Sequence, residues 1–319
     1  MNIKKWLSKN TSDLTGKVVA ITGATGGLGK EICKHLISLN AELILLDRNE
    51  EKDKALIAEL TATYPNAKIS YITTDLEDKF SVDRAIEKLK TIKLDYLIHN
   101  AGIYNVPLKK TNFGYNNVFT VNFVAHYYIT KQLLDNLKQT NGKVIAVGSI
   151  AHNYSKIDES DIDFSTRKKS SKIYGNSKRY LMFALSELFK REQGVKFTIA
   201  HPGITFTNIT SHYPKFIFAL IKHPMKVIFI SPKKASLSII KAIFDEDKTQ
   251  STQTLNENKT PKPNLQNTNR NVGYFWIGPK IFNIWGYPSK KKLNTAKQNE
   301  IDIIFKNAED IYKTLTEKN

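Results

Sequence analysis

The sequence contains one cysteine, few acidic residues and no long apolar run. The single cysteine, Cys33, excludes an intrachain disulfide and favours a reducing compartment. No apolar stretch reaches the roughly 18 residues that a membrane-spanning helix needs. The N-terminal residues lack the apolar core of a secretory signal. These absences predict a cytoplasmic protein whose membrane contact, where it occurs, is peripheral.

The shortage of acid gives the chain a large positive charge. Lysine and arginine number 48 against 30 acidic residues, so the 319 residues carry a formal charge of +18. Such an excess is typical of proteins that bind nucleic acid, anionic membrane surfaces or acidic ligands. No nucleic-acid-binding motif is present, and we expect no nucleic-acid partner. The basic, apolar segment 212–234 favours equally a peripheral membrane contact and a lid over a substrate.

Short apolar runs alternate with amphipathic helical patterns along most of the chain. This alternation predicts βαβ units, and therefore a single Rossmann-type α/β domain with a doubly wound parallel β-sheet flanked by helices. The predicted strands are residues 17–22, 42–46, 68–73, 94–99, 143–148 and 195–200. The predicted helices include a pattern through Leu28, Ile32 and Leu36, and stretches at about 113–137 and 180–190.

Composition sets the expected boundaries. Residues 1–13 are interpreted as an N-terminal extension and residues 14–319 as the single α/β domain. Within it, residues 204–235 form the basic, apolar lid, and the polar stretch 245–271 is a flexible insertion. Residues 272–319 are expected to add one strand near 273–278 and a closing amphipathic helix.

A glycine-rich turn, TGATGGLG at 22–29, follows the first strand and opens a helix. Glycines allow the backbone to approach a pyrophosphate, which lies at the helix N-terminus. Asp47 ends the second strand, where an acid can bind the adenosine ribose and repel a 2′-phosphate. Arg48 could instead bind that phosphate. The acid favours NAD over NADP.

A second motif, SKIYGNSK, places Tyr174 and Lys178 four residues apart. On a helix they share one face, and the ammonium can lower the pKa of the phenol. Alone, the pair is more often an ordinary feature of a solvated helix. Its meaning depends on the motifs that surround it.

Taken together, the motifs resemble those of the short-chain dehydrogenases/reductases. TGATGGLG, HNAG (99–102), Ser149, the Tyr174–Lys178 pair and HPG (201–203) follow in that family's order. The glycine spacing also fits the sugar-nucleotide epimerase branch, but HNAG typifies the oxidoreductases. SIAH after the fifth strand and YGNSK resemble the retinol dehydrogenase-like subgroup, although Tyr174 follows Ser149 at about twice the commoner separation.

The resemblance implies specific roles. Tyr174 is the expected general acid or base, and Lys178 its modulator and a ligand of the nicotinamide ribose. Ser149 polarises the carbonyl, and Asn122 holds a water in the proton relay. The expected cofactor-binding residues are Gly23, Thr25, Gly26, Gly27, Leu28, Gly29, Asp47, Arg48, Asp75, Leu76, Asn100, Ala101, Gly102, Tyr174, Lys178, Pro202, Gly203 and Thr207.

The sequence therefore predicts an NAD(P)-dependent oxidoreductase for a carbonyl or alcohol substrate, expected to be lipophilic. Two alternatives are a dinucleotide-binding regulatory or membrane-surface protein without turnover, and an epimerase-type enzyme. No metal is expected, because no histidine is spaced as a metal ligand with the single cysteine. The resemblance also implies a homodimer that pairs through the helices containing Asn122 and Tyr174.

Overall fold

A computed structural model describes residues 2–205, 229–245, 274–293 and 296–317. Within these ranges one sheet has the strand order β3-β2-β1-β4-β5-β6-β7-β8. All neighbouring strands are parallel except β7 and β8. The strands are β1 Val18–Thr22, β2 Glu42–Asp47, β3 Ile69–Thr73, β4 Tyr96–His99, β5 Lys143–Val147, β6 Lys196–Ala200, β7 Phe275–Ile281 and β8 Trp285–Lys292. The predicted doubly wound parallel sheet is confirmed.

Helices connect these strands and cover both faces of the sheet. They are α1 Ile3–Asn10, α2 Gly27–Ile37, α3 Glu50–Thr63, α4 Lys79–Lys90, α5 Asn117–Phe119, α6 Ala125–Gln132, α7 Leu134–Gln139, α8 Ser170–Arg191, α9 Pro232–Phe244 and α10 Gln298–Glu317. A π-helical segment, Thr120–Val124, joins α5 to α6, and a 3₁₀ turn, Ile150–Tyr154, follows β5. No helix in the described ranges is long and apolar enough to cross a membrane.

Alternating side chains of each central strand enter two separate cores. In β2, Leu43 and Leu45 pack on one side with α1, α2, α3 and α9, whereas Ile44 and Leu46 pack on the other with α4, α6, α8 and α10. Successive strand residues point to opposite faces of a sheet. Strands buried on both faces therefore read as the continuous apolar runs seen in the sequence.

The strand order reverses direction at β1. Chain continuity leads from β1 outward to β2 and β3, and then back across to β4 on the other side of β1. The loops after β1 and β4 consequently diverge at the carboxyl edge of the sheet. Such a switch point is where open α/β sheets bind ligands.

The six predicted strands and the added strand β7 are confirmed, but two features differ from expectation. The helical stretch expected at 113–137 is interrupted by the π-helical segment. Strand β8, WGYPSKKK, was not predicted, because it is a solvated edge strand rich in lysine and lacks an apolar run. Thr207, most of the lid 204–235, most of the membrane-contact segment 212–234 and nearly all of the insertion 245–271 lie outside the described residues.

The predicted N-terminal extension includes helix α1, which packs against the domain. Trp6 is 7% exposed and belongs to the same core as Leu36 and Leu43. Its ring stacks on Tyr287 of β8, with ring centres 6.1 Å apart. Helix α1 therefore covers part of the sheet's apolar layer.

We expect Trp6→Ala to lower the free energy of unfolding by about 3 kcal/mol, because it removes a buried aromatic ring and leaves a cavity. Urea denaturation followed by circular dichroism measures the change. Ser8→Ala is the matched control on an exposed position of the same helix and should change stability little. Equal midpoints for Trp6→Ala and wild type would show that residues 1–13 are a separate extension.

Candidate active site

The glycine-rich turn joins β1 to α2 and excludes side chains at two positions. Gly23 has a φ of +69°, and a β-carbon there would lie 2.9 Å from the Cα of Ala101. A β-carbon on Gly29 would lie 2.8 Å from the Cα of Ala24. Gly26 directly precedes α2, whose first backbone N–H groups have no acceptor inside the helix. The turn thus forms a close-packed cradle that suits an anion.

Asp47 lies against this turn. Its carboxylate accepts hydrogen bonds from the backbone N–H of Ala24 at 2.8 Å and from the hydroxyl of Thr25 at 3.1 Å. Burial raises the pKa of Asp47 to about 6, although these hydrogen bonds lower it. The neighbouring Arg48 side chain is 67% exposed, and its Nη1 is 3.7 Å from Glu77. The acid is therefore built into the turn, whereas the guanidinium lies at the surface.

The loop after β4 is fixed to the end of β1. The Thr22 hydroxyl accepts the backbone N–H groups of Asn100 and Ala101 at 3.1 and 3.0 Å. The Asn100 amide donates to the carbonyls of Thr22 and Gly23 at 3.0 and 2.9 Å. The other atom of that amide, Oδ1, is buried and has no hydrogen-bond partner in the part of the chain that the structure describes. Asn100 is thus a structural bridge that leaves one acceptor available.

Asn122 lies in the π-helical segment, a feature that often marks functional sites. Its side chain accepts from the backbone N–H of Ile103 at 2.8 Å and donates to the Ile103 carbonyl at 3.0 Å. It also donates to the Ser177 hydroxyl at 3.0 Å. A β-carbon on Gly102 would lie 3.2 Å from its Oδ1. Asn122 therefore links the loop after β4 to helix α8.

Helix α8 carries the predicted Tyr174–Lys178 pair, and both residues lie on one face as expected. Ser149, at the start of the 3₁₀ turn, lines the same cavity as Tyr174 and lies near enough to lower the pKa of its phenol. The Lys178 ammonium donates to the Val147 carbonyl at 2.9 Å and lies 5.9 Å from the centre of the Tyr174 ring. The three side chains predicted to react are therefore brought together at the carboxyl end of β5.

Burial dominates the ionisation of this group. It raises the pKa of Tyr174 to about 12, while the nearby Ser149 lowers that pKa. It also lowers the pKa of Lys178 to about 8. The groups that shift the Tyr174 pKa besides burial are Ser149, Tyr104 and Tyr154, so the expected lowering of the phenol pKa by Lys178 is not seen. Tyr174 is thus held in its protonated form at neutral pH.

Gly148 directly precedes Ser149 in a tightly packed position. A β-carbon there would lie 2.7 Å from Cγ2 of Ile199 and 2.9 Å from the sulfur of Met182. Tight packing between β5, β6 and α8 therefore explains the glycine.

The loop after β6 forms one wall of the site. Gly203 has a φ of +84°, and a β-carbon there would lie 2.9 Å from Cδ1 of Ile230 and 3.1 Å from Cγ of Pro279. The preceding His201 stacks on Trp276 with ring centres 4.8 Å apart, and burial lowers its pKa to about 4. The hairpin of β7 and β8 thus supports this loop.

A cavity of about 780 Å³ opens at the carboxyl edge of the sheet. Most of the predicted site residues line it, namely Gly23, Thr25, Gly26, Gly27, Leu28, Gly29, Asp47, Arg48, Asp75, Leu76, Asn100, Ala101, Gly102, Ser149, Tyr174, Lys178, Pro202 and Gly203. Asn122 lies behind this lining. Asp75 accepts the backbone N–H of Glu77 at 3.0 Å. The sequence therefore predicted most of the lining at the turn and the central loops.

Several lining residues were not predicted. Lys52 lines the cavity near Asp47. Tyr104 packs edge-on against Tyr174 with ring centres 5.3 Å apart. Ile150 and Tyr154 line the end with Tyr174. Tyr104 follows HNAG by two residues, and an aromatic residue this close to the motif could have indicated a place in the site. The others carry no motif.

The cavity fits a dinucleotide. The glycine cradle and the α2 N-terminus would hold the pyrophosphate, and Asp47 would lie near the adenosine ribose. The buried Oδ1 of Asn100 and the ammonium of Lys178 supply polar groups further along the cavity. Among the described residues, no group of three or more His, Cys, Asp or Glu could hold a metal ion.

Comparison with known proteins agrees with this geometry. The family model described as short chain dehydrogenase matches residues 17–216. The chain belongs to the short-chain dehydrogenase family. It is an oxidoreductase that acts on CH–OH groups with NAD(P), and the interpretation as a binding protein without turnover is set aside.

Several similar proteins are named retinol dehydrogenases. Mouse retinol dehydrogenase 12 is 31% identical over 239 residues, covering 73% of this chain and 75% of that protein. Human polyprenol dehydrogenase is 29% identical over 207 residues, covering 61% and 63%. The crystal structure of an uncharacterised protein from Mycobacterium paratuberculosis has a TM-score of 0.70 at 22% identity, covering 96% and 97%, and shows a similar fold.

The pKa of Asp47 generates a testable pH dependence of cofactor choice. Its carboxyl is neutral below about pH 6 and repels a 2′-phosphate only above it. Lowering the pH from about 7.5 to about 5 should shift the ratio of kcat/KM values roughly fivefold toward NADP. Steady-state kinetics with both cofactors measures the ratio. In Asp47→Asn the kcat/KM ratio should depend on pH only as far as the 2′-phosphate of NADP itself titrates. An equally steep dependence in this variant would contradict a role for the carboxyl.

Proposed function

We propose that this enzyme transfers hydride reversibly between a nicotinamide cofactor and a lipophilic carbonyl or alcohol, with Tyr174 exchanging the proton. The shared position of Ser149, Tyr174 and Lys178 on the wall of the large cavity supports this proposal. One substrate oxygen could contact the hydroxyls of Ser149 and Tyr174 together. The cofactor, when bound, supplies or accepts the hydride.

The remaining chemistry belongs to the chain's own side chains. In reduction, the Tyr174 hydroxyl donates a proton to the oxygen of the substrate, and Ser149 donates a hydrogen bond to the same oxygen. The phenol pKa of about 12 keeps that proton available at neutral pH. Lys178 stabilises the resulting phenolate and binds the ribose near the nicotinamide.

Asn122 is proposed to support the proton relay by holding neighbouring parts of the site in place. Both N–H groups of its side-chain amide donate, to Ile103 and Ser177, and its Oδ1 accepts from Ile103, so it holds the loop after β4 against α8. The relay water itself remains a prediction.

The lining of the cavity supports a lipophilic substrate. Most charged residues of the lining, among them Arg48 and Lys52, belong to the loops proposed to bind the dinucleotide. Among the described residues, Lys178 is the charged lining residue that lies beside Tyr174. Beyond the glycine-rich turn, the lining is mostly apolar or aromatic, with Ile103, Tyr104, Val147, Ile150, Ala151, Tyr154, Ile204 and Phe229, and it also includes the polar Ser171, His201 and Thr205. Two relatives are named for retinol and polyprenol. We do not assign either alcohol to this chain.

NAD is proposed as the preferred cofactor. Asp47 lies at the ribose end, and its negative charge above pH 6 opposes a 2′-phosphate. Arg48 is the competing feature, and its exposed guanidinium is already near Glu77.

The homodimer and the cytoplasmic location remain predictions. Helix α10 packs against α8 and α6, for example through the hydrogen bond between Gln132 and Tyr312 at 2.9 Å. A dimer formed through the helices that contain Asn122 and Tyr174 would therefore include α10 in its interface.

Turnover of a panel of aldehydes with NADH and NADPH tests the function. Aldehydes of increasing chain length should show rising kcat/KM. Tyr174→Phe should lose about 10³-fold in kcat and Ser149→Ala about 10²-fold, because proton donation and carbonyl polarisation are removed.

Tyr180→Phe is the matched control, since Tyr180 lies on the same helix and, among the described residues, its hydroxyl accepts a hydrogen bond from Asn307 at 2.9 Å. It should keep near-wild-type turnover. Full activity of Tyr174→Phe would refute the assigned proton donor.

A further inference from the structure

We propose that Arg179 and Glu300 are positioning residues that hold the turn carrying Ser149 in register with the helix carrying Tyr174. This inference rests on the proposed function. The pair, called here the Arg179–Glu300 clamp, joins α8 to the C-terminal helix α10. Glu300 lies outside residues 17–216, which the family model matches.

The clamp is a bidentate ion pair in a mostly buried place. Nε of Arg179 donates to one carboxylate oxygen of Glu300 at 2.7 Å, and Nη2 donates to the other at 2.8 Å. Arg179 is 7% exposed, and the side chain of Glu300 is 17% exposed. Such paired bonds fix the orientation of the guanidinium as well as its position.

The third arm of the guanidinium reaches the active-site turn. Nη1 of Arg179 donates to the carbonyl of His152 at 2.9 Å. His152 in turn bonds to Ser149, since its backbone N–H donates to the Ser149 carbonyl at 3.2 Å. Glu300 also accepts the backbone N–H of Ile157 at 3.4 Å. The clamp therefore holds the segment after Ser149 at two points.

The same face of α8 also packs against the 3₁₀ segment at Gly175, four residues before Arg179. A β-carbon on Gly175 would lie 2.5 Å from the carbonyl oxygen of Ala151. Gly175 and Arg179 are four residues apart on α8, and Tyr174 and Lys178 precede them directly. Close packing at Gly175 sets how near the turn approaches. The Arg179 bond to His152 then restricts its sliding along the helix.

Anchoring of α10 does not depend on the clamp alone. Glu309 of α10 bonds to Tyr127 and, at 3.0 Å, to Lys131 on α6. Asn307 bonds to Tyr180 at 2.9 Å. The distinctive contribution of Arg179 and Glu300 is therefore their contact with the turn. Misplacement of a reacting group by about 1 Å can reduce a rate about 10²-fold.

The double variant Arg179→Met/Glu300→Met separates positioning from stability. Replacing a buried ion pair by apolar residues of similar size often leaves stability unchanged, but here it removes the bonds to His152 and Ile157. Arg179→Lys keeps the charge and loses the forked geometry. Glu309→Gln is the control, because it weakens another anchor of the same helix without touching the turn.

Three readouts are compared on the full chain: kcat and KM with an aldehyde, KM for the nicotinamide cofactor, and hydrogen exchange of residues 150–157. We expect the double variant to lose about 10- to 100-fold in kcat. Its cofactor KM should stay within about twofold and its melting temperature near wild type. Arg179→Lys should lose less, and Glu309→Gln should keep wild-type kcat.

Two results would overturn the clamp: wild-type kcat in the double variant, or an equal loss in Glu309→Gln. Hydrogen exchange keeps this failure distinct from failure of the proposed function. If wild type reduces no aldehyde, the function fails, and faster exchange at 150–157 in the double variant alone still supports the clamp. Unchanged exchange there would refute it.

Discussion

The site depends on one constraint, the close approach of the β1 and β4 loops where the strand order reverses. The Thr22 hydroxyl accepts two backbone N–H groups from the β4 loop, and Gly23 allows Ala101 to pack against the turn. Because the central strands are parallel, their carboxyl ends all meet at this edge. The glycine-rich turn and the side chains predicted to react therefore face one cavity.

Burial then sets the chemistry of that cavity. Desolvation raises the pKa values of Asp47 and Tyr174 and lowers that of Lys178. Each change disfavours the charged form. The phenol thus keeps its proton, and the ammonium becomes easier to neutralise. Thr25 and Ser149 act in the opposite direction but do not reverse these shifts.

Much of the fold and site was predictable because the signals are local. Two-sided burial of the six central strands leaves apolar runs that are visible in the sequence, and Gly23 reports a backbone conformation that few other residues adopt. Strand β8 carries no such signal, since its solvated lysines mask its pairing with β7. Tyr104 carried only a weak signal, because its role comes from the approach of Tyr174 in space.

The sequence by itself determined the family and the parallel sheet, and it predicted the Ser149, Tyr174 and Lys178 set, because spacing along the chain and residue type carry that information. The tertiary structure decided their pKa shifts and the contact between Arg179 and Glu300. Those two residues lie 121 positions apart. Desolvation and long-range pairing depend on which surfaces meet, and no local pattern records that.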